Sequence, residues 1–527
     1  MPRQEGYGVA VLGYRPEPFT DFRREENFRA FKAALEKVEG ELGREYPLII
    51  SGDRVMGGRK FDSVNPANPA VVVGRMSEAE RNYFEQAMQA AQGAFETWSR
   101  WDPRWRARIL LKAAAQLRRR KHEFSALLVL EVGKTWPEAD ADTAEAIDFL
   151  EFYAREMVRL TEGSHRLVGM PGEDNELIYM PMGVGAVIPP FNFPLAIACG
   201  MTASAIVTGN TVLLKPAVPA PVVAYRLVEL LEEAGLPPGV VNLLPSGGAE
   251  VGEWMVSDPR THFISFTGSR DVGVQIYEAA ARVAPGQRHL KRVIAELGGK
   301  DAIVVAEDAD PEAAATGIVA AAFGFGGQKC SACSRAIIHQ DLYDRVLELA
   351  VRKTERLVVG DPRDENTDVG PLAGPRYYER VLKYIEIGKG EGRVVAGGGA
   401  LQMPTGGYFV KPTIFADVDP GARIAQEEIF GPVVAFHKAP DFRSAVAMAN
   451  DTEYGLTGAV YTRSRENIEY ARREYQVGNL YINRKCTGAL VGVHPFGGFK
   501  LSGTDSKAGG HDYLTLFLQA KSVSEQL

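Results

Sequence analysis

VGAVIPPFNFP, residues 184–194, sets the fold class. Five apolar residues closed by Pro189 and Pro190 have the length and composition of a strand buried on both faces. Runs of the same kind recur as NTVLL (210–214), VVNLL (240–244), HFISF (262–266), RVIAEL (292–297) and DAIVV (301–305). Helically spaced segments such as PVVAYRLVELLEEAG (221–235) and SRDVGVQIYEAAARV (269–283) separate them. Strands alternating with helices predict βαβ units and a parallel sheet covered on both faces. A second alternating set, including RAIIH, DLYDRVLELAVRKTERL, FRSAVAMAND and NIEYARREY, comes after Cys330. The chain therefore reads as two α/β lobes, with Cys330 near the start of the second.

Upstream, a Pro-punctuated arm leads into FRAFKAALEKVEGEL, whose apolar residues have helical spacing. LIISGDRV reads as a strand and turn, and residues 77–160 as a helical block broken at Pro103 and Pro137. The glycine run GGGALQMPTGG (397–407) reads as a surface loop. DYLTLFLQAKSVSE (512–525) alternates like a terminal strand that pairs with another segment or subunit. No period of 20 to 50 residues repeats, which excludes a solenoid.

With 527 residues, 45% of them hydrophobic and 24% charged, the chain can bury several cores. A net charge of −7 offers no basic field for nucleic acid or anionic membrane, and the cluster Arg118, Arg119, Arg120 and Lys121 reads as a solvated helix face. Four cysteines in so long a chain cannot form a disulfide framework and point to a reducing cytoplasm. No apolar leader and no run of about eighteen apolar residues occurs, so neither export nor a membrane span is expected.

Residues 324–335, GFGGQKCSACSR, carry the best candidate for chemistry. Gly326 and Gly327 let main chain approach Cys330, and Lys329 beside it would lower the thiol pKa. The alternative is a small hydrophobe at a helix start. Cys330 and Cys333 form a C-x-x-C, yet there is no second pair, and none of the eight histidines has a ligand-like spacing, so no metal site is expected. Asn192, fixed between prolines at a strand end, could donate to an oxyanion or cap a helix. Lys215, in LKPA, stands where open α/β sheets bind ligands, or is a solvated lysine at a strand end. The turn after Phe266, FTGSRDVG, could hold a phosphate at a helix start, although G-x-G-x-x-G is absent as a strand-to-helix turn. Glu296 ends an apolar strand before two glycines, as a general base with a raised pKa would, or as a turn cap would.

The motifs PPFNFP, LKPA, FTGSRDVG, ELGGKDA, GQKCSACSR, QEEIFGPVV, NDTEYGLTGAVYT and PFGGFKLSG, in this order, resemble the aldehyde dehydrogenase superfamily from Leu48 to the C-terminus. EAIDFLEFYAR, PGEDNELIY, GFGGQKCSA, YIEIGKGEG and NRKCTGALVGVHPFGGFKLSGTDSKAGG resemble, within it, the branch that oxidises L-glutamate γ-semialdehyde in proline catabolism. The resemblance implies an α/β fold with a Rossmann-like NAD-binding domain (41–165 and 184–296), a catalytic domain (297–500), a small β oligomerisation flap (166–183 and 501–527) and an added arm (1–40). Cys330 matches the nucleophile, Asn192 the oxyanion donor and Glu296 the base that activates water. Lys215, Gly268, Ser269, Gly273, Glu428, Phe430, Ile188 and Pro190 match the positions that hold the dinucleotide. Gly488, Ala489 and Phe496 match the loop that anchors the substrate's α-carboxylate, Ser331 and Lys329 flank the aldehyde site, and Glu138 faces the substrate's amino group. A homo-oligomer, a small-molecule substrate and a functional link to a proline dehydrogenase are implied; a nucleic-acid or membrane partner is not. The rival readings are a dehydrogenase for another semialdehyde, a CoA-acylating relative, which Glu296 opposes, and a non-enzymatic protein that retains the fold.

Two departures stand out. Phe191 replaces a common Trp, aromatic for aromatic. Val218 stands three residues after Lys215, where many NAD-preferring relatives carry a Glu that binds ribose hydroxyls and repels a 2′-phosphate. NAD is therefore expected to be preferred with NADP usable, and initial rates with each cofactor check this. A rate with NADP no greater than background would refute the second half.

Overall fold

The computed structural model describes residues 13–162 and 167–527. The first twelve residues of the arm and residue 166 of the expected flap lie outside the described residues. All six apolar runs are strands. Five of them form the parallel part of a seven-stranded sheet in the order Arg292–Glu296, Thr261–Thr267, Val184–Ile188, Thr211–Leu214 and Val241–Leu243. The antiparallel hairpin Leu48–Ile50 and Asp53–Val55 completes it. Chain order reverses between Val184–Ile188 and Thr261–Thr267, and a crevice at such a switch point is where doubly wound sheets hold ligands.

A second seven-stranded sheet runs Arg393–Ala396, Thr413–Ala416, Val433–Ala439, Arg335–His339, Ala302–Val305, Thr457–Tyr461 and Asn479–Ile482, with the first strand antiparallel to the rest. Both sheets are sheathed by helices, which is why their strands read as unbroken apolar runs. The terminal strand Leu518–Gln526 pairs antiparallel with Glu173–Pro181 along its whole length and leaves Ile178 and Met180 exposed.

The helical block is broken at Pro103 and Pro137: helices end at Trp98 and Val132, and the next ones start at Pro103 and Trp136. Pro103 opens the helix Pro103–Arg119, whose Asp102 cap accepts from the Arg104 N–H, and Pro137 is the second residue of Trp136–Glu162. A missing N–H costs nothing in the first turn. One expectation needs correction, because the cluster ending at Lys121 is not simply a solvated face: Lys121 is buried and bonds Asp140 and the Pro18 carbonyl.

The helix Trp136–Glu162 ties two distant segments together. Its Asp142 pairs with Lys134 at 3.0 Å, both side chains wholly buried, and accepts the Ala196 N–H at 2.7 Å. Ala196 opens the helix that comes after residues 184–194, so this pair anchors the segment carrying Asn192. Lys134 Nζ lies 3.9 Å from the Phe193 ring centroid and 4.8 Å from that of Phe325, which joins that segment to the Cys330 loop. Removing one member of such a pair strands a buried charge at a cost of about 3–5 kcal/mol. Lys134→Met should therefore lower the thermal unfolding midpoint by several degrees; an unchanged midpoint would refute the anchoring role.

Candidate active site

The helix Pro311–Phe323 ends at Gly324, and three successive residues then adopt the left-handed region: Phe325 (φ 50), Gly326 (φ 60) and Gly327 (φ 69). Phe325 bears the steric cost of a side chain there. A turn closed by Ala332 N–H to Lys329 C=O at 3.0 Å places Cys330 at its second position. Cys330 keeps some exposure, whereas Cys199, Cys333 and Cys486 are buried. The thiol is thus at a surface a substrate can reach, and Cys333 is the packing residue.

The expectation that Lys329 lowers the thiol pKa is overturned by its partner. Lys329 Nζ is bound to Glu138 at 2.7 Å, which commits its charge elsewhere. Burial and the carboxylates of Asp301, Glu428 and Glu296 push the Cys330 thiol up, and only the Ser331 N–H opposes them. Burial also raises Glu138, but Lys329 and Lys134 outweigh it and hold that carboxyl below its ordinary value.

Asn192 is not a helix cap. The helix Ala196–Val207 has Leu195 at its cap position with no side-chain bond, and Asp142 takes the Ala196 N–H. The Asn192 side chain is 3% exposed and makes no hydrogen bond among the described residues. A buried amide left unpaired is costly unless a ligand completes it. Glu296 ends its strand against the loop that bears Ser506, whose hydroxyl donates to Oε1, while Oε2 is buried without a partner. Burial pushes the Glu296 carboxyl up to about 8 despite the Ser506 bond.

The residues matched to a dinucleotide lie at the carboxyl ends of the first sheet's strands. Lys215 is 8% exposed, meets no carboxylate among the described residues, and is pushed down by burial. A Cβ on Gly252 would lie 3.6 Å from Lys215 and 3.9 Å from Ile188, so the three share one wall. Gly268 donates its N–H to the Glu296 carbonyl at 3.0 Å. Ser269 caps the helix Arg270–Ala281 with an exposed, unbonded hydroxyl, and Gly273 lets that helix close on Leu297. Glu428 accepts the Gly299 N–H at 3.0 Å, and Phe430 is held at φ 63 against Phe191, ring centroids 5.8 Å apart. A buried ammonium at a switch point, a helix start and a tethered carboxylate fit a dinucleotide's phosphates and ribose. Pro190 lies beside Ile188 at the same strand end.

The substrate-matched residues also converge. The Cys486 thiol donates to the Ser331 carbonyl at 3.4 Å, which ties the start of the chain segment that carries Gly488 and Ala489 to the Cys330 turn. Phe496 bridges Ala508 at the far end of that loop. Sequence reading missed Ser506, Gly252 and Arg484; the last donates to the Thr487 and Gly488 carbonyls at 3.0 Å each. None lies in a pattern that marks it out, because each acts through a partner distant in sequence or a backbone atom.

The aldehyde dehydrogenase family model matches residues 55–523. The 1-pyrroline-5-carboxylate dehydrogenase of Geobacillus thermodenitrificans (strain NG80-2) is 62% identical over 515 residues, 98% of this chain and 99% of that protein. A solved 1-pyrroline-5-carboxylate dehydrogenase from Thermus with bound NAD superposes with a TM-score of 0.96 at 54% identity, covering 98% of this chain and 100% of its own. Proline utilization A from Bdellovibrio bacteriovorus, inactivated by N-propargylglycine, gives 0.95 at 43% identity over 100% of this chain and 54% of its own.

Alkylation reads the thiol directly. Iodoacetamide on the native protein should modify Cys330 alone, slowly at pH 7 and faster up to pH 9 as the raised thiol ionises. Peptide mapping that finds Cys333 or Cys486 labelled at a like rate, or a rate flat with pH, would contradict the site as described.

Proposed function

Because the chain belongs to the aldehyde dehydrogenase family, we propose that it oxidises L-glutamate γ-semialdehyde, the open form of 1-pyrroline-5-carboxylate, to L-glutamate with NAD, the second step of proline catabolism. What supports this reading is a partly exposed Cys330, an Asn192 amide without a hydrogen-bond partner among the described residues, and a Glu296 carboxyl that burial drives toward its neutral form and that is near enough to oppose ionisation of the thiol. Cys330 Sγ attacks the aldehyde carbon. The Asn192 amide and the Cys330 N–H, which takes part in no hydrogen bond among the described residues, receive the developing oxyanion. NAD, held along Lys215, Gly268, Ser269, Gly273, Glu428 and Phe430, supplies the hydride acceptor. Cys330 then carries the acyl group as a thioester, and Glu296 takes a proton from the water that releases the acid.

The α-carboxylate is received by the N–H groups of Gly488 and Ala489, which have no partner among the described residues. Glu138 faces the amino group, and Lys329 and Ser331 wall the aldehyde. The strands Glu173–Pro181 and Leu518–Gln526 form the flap through which subunits assemble, supported by their exposed apolar residues and long free edge. The cytoplasm is the proposed location; among the described residues no helix is long and apolar enough to cross a membrane. The similarity to proline utilization A supports a proline-oxidising reaction as the source of substrate.

NADH formation with 1-pyrroline-5-carboxylate should exceed that with succinate semialdehyde, aliphatic and aromatic aldehydes, and equal efficiency across this panel would sink the substrate assignment. With Glu296 protonated below about 8, thioester hydrolysis should climb with pH and level off above that value. Glu296→Gln should remove the climb and let acyl-enzyme accumulate, while Cys330→Ala should abolish turnover. A steady-state rate unchanged in Glu296→Gln would end its role as base.

A further inference from the structure

The N-terminal arm lies outside the matched family region and is tied down by a series of specific bonds. Thr20 gives its N–H and hydroxyl to Asp140, and Glu17 gives its N–H to Asp148 at 2.7 Å. Phe22, Phe28 and Phe31 gather round Trp136 with centroids 4.5–5.5 Å away. Asp140, Asp148 and Trp136 all belong to the helix that also carries Glu138. The arm thus runs along the back of the helix whose other residues reach the site.

Where the arm ends its run, Tyr14 meets the loop matched to the substrate's carboxylate. Its hydroxyl donates to the Val491 carbonyl at 2.9 Å, and its ring stands edge-on to Phe152 at 5.3 Å. Gly492, at φ +73, has no room for a side chain: a Cβ would lie 2.8 Å from the Tyr14 ring and 3.0 Å from Phe152. The next chain segment is fastened behind it, Gly492 N–H to Gly509 C=O and Gly509 N–H to the Tyr153 hydroxyl, each at 2.9 Å. At the loop's other end Arg484 holds the Thr487 and Gly488 carbonyls. With the carbonyls drawn back at both ends, the N–H groups of Gly488 and Ala489 stay free to face an anion.

We propose that Tyr14 is a specificity-determining positioning residue: through Val491 and Gly492, the arm sets the backbone that receives the substrate's α-carboxylate. The inference rests on the reading that Gly488 and Ala489 bind that group. Tyr14 touches neither substrate nor cofactor, so its removal acts on KM for a carboxylate-bearing aldehyde and leaves propanal, which lacks the group, unaffected.

The test compares Tyr14→Phe and Ala489→Asp with the unaltered enzyme, using glutamate semialdehyde and propanal. Tyr14→Phe removes the hydroxyl's bond to the Val491 carbonyl together with its contact with the Asp148 carboxyl, and one lost hydrogen bond corresponds to a change of roughly two- to tenfold. The expected result for Tyr14→Phe is a semialdehyde KM raised by about that factor, with kcat and all propanal constants unchanged. Ala489→Asp, which places a repelling carboxylate in the loop, raises the semialdehyde KM further. An unchanged KM for Tyr14→Phe beside a raised KM for Ala489→Asp overturns the proposal while the loop's role stands. No effect of Ala489→Asp overturns both, and a Tyr14→Phe defect equal on the two aldehydes shows a merely structural role.

Discussion

A Cβ on Gly327 would stand 2.1 Å from the Gly431 carbonyl oxygen, and one on Gly299 would stand 2.4 Å from that of Cys330, so the loop bearing the thiol is pressed between two other main-chain segments. Only glycine allows backbone to close on backbone at that distance. The first approach brings in the segment of Glu428 and Phe430; the second brings in the end of the strand that carries Glu296. Gly298 extends the same logic, since its missing Cβ leaves the space that the Glu428 carboxylate fills. The segments of Cys330, Glu296 and Glu428 are thereby fixed to one another through main chain rather than through flexible side chains.

Such close packing removes water, and the charges respond. Lys329 holds the Glu138 carboxyl below its ordinary value, whereas in the wholly buried pair of Lys134 and Asp142 burial outweighs the lysine and pushes the carboxyl up. Glu296 has no cation in contact and is driven toward its neutral form, while Lys215 has no anion and is driven the same way. Glu296 and Lys215, matched to base and cofactor, are thus among the buried groups that lack a charged partner. Burial without a partner is tolerated where a ligand or a reaction step completes the group.

The parallel strands were legible because a strand covered on both faces must be apolar along its whole length, and 184–188 shows this directly. The nucleophile's turn was legible from its glycines, which the close approaches require. Contacts between distant residues were not. Nothing in KCS shows that Lys329 has Glu138 as its partner 191 positions away, so the sequence reading assigned the lysine's charge to the wrong neighbour. Pro103 and Pro137 were legible as breaks in the helical block because a missing N–H is tolerated only in a helix's first turn. The cap reading of Asn192 falls to a contact no local pattern shows, Asp142 holding the Ala196 N–H. Tyr14 and Ser506 carry no local signal at all, since each matters through the atom its hydroxyl meets.

In the reaction proposed for this site, the raised pKa values of Cys330 and Glu296 set the two groups against each other. Each opposes ionisation of the other, since the Glu296 carboxylate is among the groups that push the thiol up and the coupling is mutual. Two anions side by side in a dry pocket are costly, so the site favours one at a time. Attack requires the charge on sulfur, and with Glu296 neutral that charge is least opposed. Once the sulfur is acylated it carries no charge and no longer opposes the Glu296 carboxylate, while burial still holds that carboxyl up to about 8. A carboxyl whose pKa was already low would instead be charged throughout, hindering formation of the thiolate and gaining nothing at hydrolysis.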